Sequence, residues 1–283
     1  MQRPIRYVIC DVFTDRALTG NQLAVFTDAR GLDPELMQAL AREMRFSEST
    51  FVLPAEAGGH ARVRIFTPAC ELPFAGHPTL GTAFVIGEST QLDVIRLETG
   101  AGVVPVRLER DGPQVVFGWM TRPAPTVAPF DRTPALLAAL GVERSELPVE
   151  VYDNGIAHVF VALASRDAVA AVRPDMERLA TLGVVGANVF AGSDDRWKTR
   201  MFAPASGVPE DPATGSAAGP LAMHVSRHGL VPFGTTLRIE QGAEVSRPSI
   251  LHARVGGTAD APVIEVGGSA VVVGRGEFRL HRG

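Results

Sequence analysis

Cysteine is scarce in this chain, with only Cys10 and Cys70 among 283 residues. Two thiols cannot build a disulfide framework, and no CxxC spacing offers zinc or redox chemistry. Both fall in apolar segments that read as strands, so both are expected to be small buried hydrophobes. Long hydrophobic runs are missing too. No stretch approaches the ~20 apolar residues of a membrane helix, and the opening MQRPIRYVICDVF lacks a signal-peptide core. Neither charge dominates: 27 Lys and Arg stand against 31 Asp and Glu, a net charge of −4. That balance gives no electrostatic reason for a nucleic acid or an anionic membrane as partner.

Several catalytic signatures are absent as well. TGSAAG is not a GxSxG nucleophile elbow, and GAGVVP lacks the third glycine of a dinucleotide fingerprint. No Walker-type phosphate loop exists. HVSRH sets His224 and His228 one helical turn apart, but the neighbouring glutamate of a zinc helix is missing. These cations precede Gly229, where they complement a helix C-terminus. The expectation is a cytoplasmic, reduced protein without metal, cofactor or covalent nucleophile.

What is present is an ordinary globular composition, 46% hydrophobic and 20% charged. It also contains an internal repeat. RIFTPACELPFAGHPTLGTA, from Arg64, aligns with RMFAPASGVPEDPATGSA, from Arg200. Arg64 matches Arg200, Phe66 matches Phe202, Pro68 matches Pro204 and Pro73 matches Pro209. Closing a two-residue gap then matches Pro78 with Pro212, Gly81 with Gly215, and therefore His77 with Asp211. LAVF ending at Phe26 is echoed by AHVF ending at Phe160. A helix with Pro34 in its first turn is echoed by one with Pro174, positions where a missing N–H costs nothing. Alternating stretches such as ARVRIF and VVPVRLER read as strands. The expectation is an α/β protein of two similar lobes, 1–120 and 121–283, with about 268–283 able to return to the first.

The helices expected from Pro78 and Pro212 are poor in charge, so each should run through the middle of its lobe with sheet around it. Their amino termini would still offer free N–H groups and a positive dipole end. If the pseudo-twofold brings both mouths to one cleft, they make an anion site with His77 and Asp211 facing each other. The structural alternatives are a core histidine for His77 and an N-cap for Asp211, with Glu210 a solvated neighbour. Glu48 falls opposite Ala187 in the repeat, so the acid belongs to one lobe only. A carboxylate at a partly buried strand edge suits proton transfer near neutral pH. Its alternative is a cap or an ion pair with Arg42 or Arg45. Asn21 is either a turn residue or a substrate ligand. Thr214 and Ser216 either bind a carboxylate or, for Ser216, bond back within the helix.

DVFTDRALTGNQLAVF, FSESTFVL, FTPACELPFAGHPTLG and FAPASGVPEDPATGSAAGPLA resemble the signature segments of the PhzF-like family, named for an isomerase of phenazine biosynthesis. The resemblance covers almost the whole chain, to VIEVGGSAVVVGRGEF. It implies a diaminopimelate epimerase-like fold of two pseudo-symmetric lobes, each a barrel-like sheet around a central helix, in a homodimer. It implies a cofactor-independent isomerase acting on a small carboxylate, either trans-2,3-dihydro-3-hydroxyanthranilate or a related acid. It also implies Glu48 as main acid/base, with His77 and Asp211 at the helix mouths where related epimerases carry two cysteines. Asn21, Gly76, Thr214, Gly215 and Ser216 are the expected substrate ligands. The alternative is a catalytically idle member that binds a metabolite or a protein.

Overall fold

The computed structural model describes residues 3–183, 186–257 and 261–280. The chain divides into two compact units, Met1–Met120 with Gly268–Gly283, and Thr121–Gly267.

In the first unit, β1 (Ile5–Val12), β2 (Asn21–Phe26), β3 (Glu48–Leu53), β4 (Ala61–Phe66), the two-residue β5 (Glu71–Leu72), β6 (Val94–Thr99), β7 (Gly102–Asp111) and β8 (Gln114–Pro123) are joined by the returning β18 (Ala270–Phe278). The sheet runs β18–β1–β2–β3–β4–β6–β7–β8, with β5 against β4. It is antiparallel except at β2–β3 and β4–β6. Helix α1 (Pro34–Met44) starts where Asp33 accepts a hydrogen bond from the Leu36 N–H at 2.7 Å, and it ends at Arg45 in the left-handed region. Its Met37, Leu40 and Ala41 face Phe26, Phe51 and Phe66, of which Phe26 and Phe51 stack at 4.5 Å. Burying such side chains stabilises by about 1.5–3 kcal/mol each.

Helix α2 (Gly76–Ser89) is buried from Gly76 to Phe84 and touches β1, β2, β3, β6, β7 and β18. The sheet therefore wraps it, as its lack of charge predicts. The close fit explains Gly81, where a Cβ would lie 2.7 Å from both Leu23 Cδ2 and Val12 Cγ2. Inward hydroxyls are satisfied locally: Thr79 donates to the Ala75 carbonyl at 2.7 Å, and Thr82 meets Thr50 at 2.9 Å.

The second unit repeats the plan with β9 (Thr126–Pro129), α3 (Thr133–Leu140), β10 (Glu150–Asp153), β11 (Ala157–Ala162), α4 (Arg166–Ala171), α5 (Met176–Thr181), β12 (Gly186–Ser193), β13 (Arg196–Ala203), β14 (Val208–Asp211), α6 (Gly215–Arg227), β15 (Leu237–Gln241), β16 (Ser249–Gly257) and β17 (Pro262–Gly268). Its strands follow β9–β10–β11–β12–β13–β15–β16–β17, with β14 on β13 and parallel junctions at β11–β12 and β13–β15. Both the order and the two parallel junctions match the first unit. Helix α6 is the buried counterpart of α2, and a Cβ on its Gly219 would collide with Ile264.

The structure corrects several sequence expectations. Cys10 is buried in β1, and burial pushes its thiol pKa up, but Cys70 is exposed in the turn after β4. The helix expected with Pro174 in its first turn is the short α5, and Pro174 lies before its cap, Asp175. Helix α2 starts at Gly76, ahead of Pro78, whereas α6 starts at Gly215, after Pro212. The repeat therefore pairs Gly76 with Gly215 and His77 with Ser216. Its gap lies earlier, where the short 3-10 turn Pro204–Ser206 and the following Gly207–Pro209 lengthen the second unit. Asp211, on β14, then corresponds to Leu72 on β5.

The pair Arg64–Glu71 has its match in Arg200–Glu210. Both are bidentate ion pairs, and each guanidinium lies over a phenylalanine, Phe66 at 5.1 Å or Phe202 at 5.0 Å. Glu210 is thus the largely buried ion-pair partner of Arg200, not a solvated neighbour. Among the described residues, no helix is long and apolar enough to cross a membrane.

Candidate active site

In the first unit, the loop between β1 and β2 carries backbone strain. Phe13 and Leu18 have φ of 63° and 67°, and Gly20 has φ of 70°. Left-handed non-glycine residues cost on the order of 1–3 kcal/mol each and persist only where their surroundings hold them. Here the Asp11 carboxylate accepts the Leu18 N–H at 2.7 Å, and Ser269 O accepts the Phe13 and Thr14 N–H groups. This loop delivers Asn21 into β2, where its Nδ2 lies 3.2 Å from His77 Nδ1.

Glu48 opens β3 beside Leu23 of β2, and its Oε2 lies 3.5 Å from His77 Nε2. His77 is 3% exposed, and burial pushes its pKa down to about 3, a hydrogen bond with the Gln22 backbone opposing only in part. A neutral imidazole therefore stands beside a carboxylate that keeps 14% of its side chain open. A neutral imidazole can hold or pass a proton, and a carboxylate can take one from carbon.

In the second unit, Asp211 ends β14, and its Oδ2 accepts the Thr214 hydroxyl at 2.6 Å. Gln241 ties the turn together. Its Nε2 donates to Asp211 O at 2.8 Å and to Thr214 Oγ1 at 2.9 Å, while its Oε1 accepts the Thr214 N–H at 3.2 Å. Ser216, second residue of α6, lies 2.9 Å through its Oγ from His158 Nε2. Asn188 backs that ring at 3.4 Å from Nδ1. Ser216 is thus held from outside its helix and does not bond back within it. Burial pushes His158 down to about 4, the Asp153 charge opposing. Neither α2 nor α6 is capped by a side chain, so Gly76 and Gly215 open helices whose first N–H groups suit an anion.

The structure brings Asn21, Glu48 and His77 together in the first unit, and Asp211 with Thr214 in the second. Strand register shifts one pairing. Ser49 faces Phe66 as Ala187 faces Phe202, so Glu48 corresponds to Gly186, not to Ala187. Gln241, His158 and Asn188 are polar site neighbours that sequence reasoning passed over. The histidine pair of α6 joins Glu150: His228 Nε2 and Arg227 Nη1 donate to Glu150 Oε2 at 3.0 Å, Tyr152 OH donates at 2.9 Å, and His224 Nδ1 lies at 3.3 Å. Three of these groups could chelate a metal ion, but the Arg227 guanidinium already stands at the carboxylate as its cation.

Two α/β units of matching strand order, each wrapped around a buried helix, define the fold class. A probable proline racemase from Agrobacterium radiobacter shares the fold over 98% of this chain and 93% of its own, with a TM-score of 0.70 at 15% identity. Closer relatives exist. The description of the phenazine biosynthesis-like protein family matches residues 10–276, and the chain belongs to that family. It is 49% identical over 275 residues to the trans-2,3-dihydro-3-hydroxyanthranilate isomerase of Pseudomonas fluorescens, covering 97% of this chain and 99% of the relative. The protein of that name from Pseudomonas aeruginosa is also 49% identical, over 276 residues. A PhzF-family structure from Bacillus anthracis superposes with a TM-score of 0.87 at 26% identity, over 99% of this chain and all of the other. The protein is an isomerase of this family.

Proposed function

We propose that the protein isomerises trans-2,3-dihydro-3-hydroxyanthranilate, or a small carboxylate of closely similar chemistry, by moving one proton between carbons. The observation that carries this reading is the Glu48 carboxylate 3.5 Å from the neutral, buried imidazole of His77. Glu48 takes a proton from an activated C–H and becomes a carboxylic acid. The electron pair left on carbon spreads into the adjacent double bond, and the far carbon is protonated, restoring the carboxylate. Such positioned transfer contributes about 10²–10⁴-fold.

His77, fixed by Asn21, orients and relays. Asp211 is assigned to orientation and charge stabilisation. Asn21, Gly76, Thr214, Gly215 and Ser216 are assigned to the substrate's polar groups, supported by the uncapped helix starts and by relatives of nearly equal length that carry the isomerase name. No bound cofactor is required by this chemistry. A cytoplasmic homodimer is the proposed form; sedimentation showing only monomer would contradict it. The test is incubation with the dihydro acid under NMR. Appearance of an isomer supports the proposal, whereas a ligand-induced melting shift with no new isomer favours a binding protein.

A further inference from the structure

The two units place different chemistry at the same point. In the first, the helix supplies an imidazole, His77, and β3 supplies a carboxylate, Glu48. In the second, the helix supplies a hydroxyl, Ser216, and the position matching Glu48 is Gly186, beside which lies His158 of β11. A Cβ on Gly186 would collide with His158 Nδ1, so the missing side chain makes room for the ring. His158 is 1% exposed and Ser216 is 8% exposed. Burying an imidazole costs desolvation that its hydrogen bonds to two residues, Ser216 and Asn188, offset.

The hydrogen-bond partners fix the direction of this pair. Asn188 Nδ2 faces two carbonyl oxygens, Val159 O and Gly186 O, each at 3.2 Å. Those acceptors demand the amide nitrogen at that place, because the amide oxygen would repel them. The same nitrogen lies 3.4 Å from His158 Nδ1 and cannot accept a hydrogen bond, so an N–H on Nδ1 would face a donor group and the lone pair is favoured there. The ring proton then sits on Nε2 and points at Ser216 Oγ, 2.9 Å away. With its oxygen accepting from His158, the Ser216 hydroxyl is left to donate outward. It becomes a hydrogen-bond donor committed to an anion, next to the uncapped start of α6.

We propose that His158 is a positioning residue that locks Ser216 as a donor to the carboxylate of the substrate, with Asn188 setting the tautomer of His158. The inference rests on the proposed reaction for the identity of that carboxylate. Its own claim concerns the direction of one hydrogen bond. Burial keeps the ring neutral at neutral pH, so the lock does not open there.

Two measurements test it on the full chain. Long-range ¹⁵N–¹H correlation on histidine-labelled protein reads the tautomer directly. An Nε2-protonated His158 at pH 7 is expected, and an Nδ1-protonated ring overturns the proposal. The second is a binding cycle by calorimetry with 3-hydroxyanthranilate, an aromatic carboxylate on the substrate's ring skeleton. His158→Leu should weaken Kd by about tenfold or more, the size expected for losing a charge-assisted hydrogen bond. His158→Gln, which returns an amide N–H to the Nε2 position, should recover most of that loss. In a Ser216→Ala background, His158→Leu should add almost nothing. Equal losses with and without Ser216 overturn the proposal, as does a Gln variant that folds with the wild-type melting temperature but binds like Leu. Coupling in the cycle without turnover of the dihydro acid would sink the proposed reaction and leave the His158 assignment standing. Turnover with additive losses would do the reverse. A wild type that binds no carboxylate counts against both.

Discussion

The mouth of α2 and the mouth of α6 are built by the same strands in the same order, yet only one carries an acid beside a base. Glu48 and His77 meet at 3.5 Å in the first unit. In the second, glycine replaces the acid, and histidine and serine meet at 2.9 Å. On the proposed reading, one mouth moves a proton and the other holds an anion. The two units are matching frames, and the difference between them lies in a few side chains at each helix start.

The strongest way to break this comparison is Glu48→Gln, which keeps shape and removes the base. Turnover should fall by about 10²–10⁴-fold, whereas Asp211→Asn, which keeps an acceptor for Thr214, should cost about tenfold at most. Steady-state kinetics on both variants checks this; equal losses would erase the division of labour.

The repeated ion pairs sharpen it next. Arg200–Glu210 is buried, with 5% and 10% of the side chains exposed, and Arg64–Glu71 is open at 24% and 42%. Arg200→Met should therefore destabilise by about 3–5 kcal/mol, and Arg64→Met by no more than about 1 kcal/mol. Urea denaturation separates the two, and similar midpoints would contradict the burial argument.

Acid acts on both units. His77 and His158 are neutral when folded down to about 3 and 4, against 6.5 when free. Between those values the unfolded chain binds more protons, so stability is whole above about pH 6.5 and falls as pH drops towards 4. Each unit of pKa difference is worth about 1.4 kcal/mol at full effect. A urea midpoint that stays flat from pH 6.5 to 4 would contradict buried neutral rings, and His77→Gln should flatten part of the slope.

Gly81→Ala tests the packing around the first mouth's helix. It overpacks α2 against Leu23 and Val12 at about 1–3 kcal/mol, read as a lower melting temperature.

The two-lobe architecture and the buried helices were legible because a charge-poor helix and alternating strands leave few other arrangements. Glu48 and His77 could be singled out from the sequence because an acid without an echo and a histidine beside glycine and proline are unusual there. The pairing inside the repeat was not legible. Matched prolines suggested one gap, but prolines mark turns, and α2 begins before Pro78 while α6 begins after Pro212. Only the strand register pairs Glu71 with Glu210 and Gly76 with Gly215. His158, Asn188 and Gln241 could not be found locally, since each is one polar residue within a strand. Their partners lie 58, 30 and 27 residues away. Buried polar residues of this kind become meaningful only when the fold closes.

The most direct test of the central claim is deuterium transfer in D₂O with the dihydro acid, followed by NMR for wild type and Glu48→Gln side by side. The account predicts an isomerised product from wild type, deuterium-labelled at one carbon wherever the transferred proton exchanges with solvent, and neither product nor label from Glu48→Gln. Product formed at the wild-type rate by Glu48→Gln would contradict it.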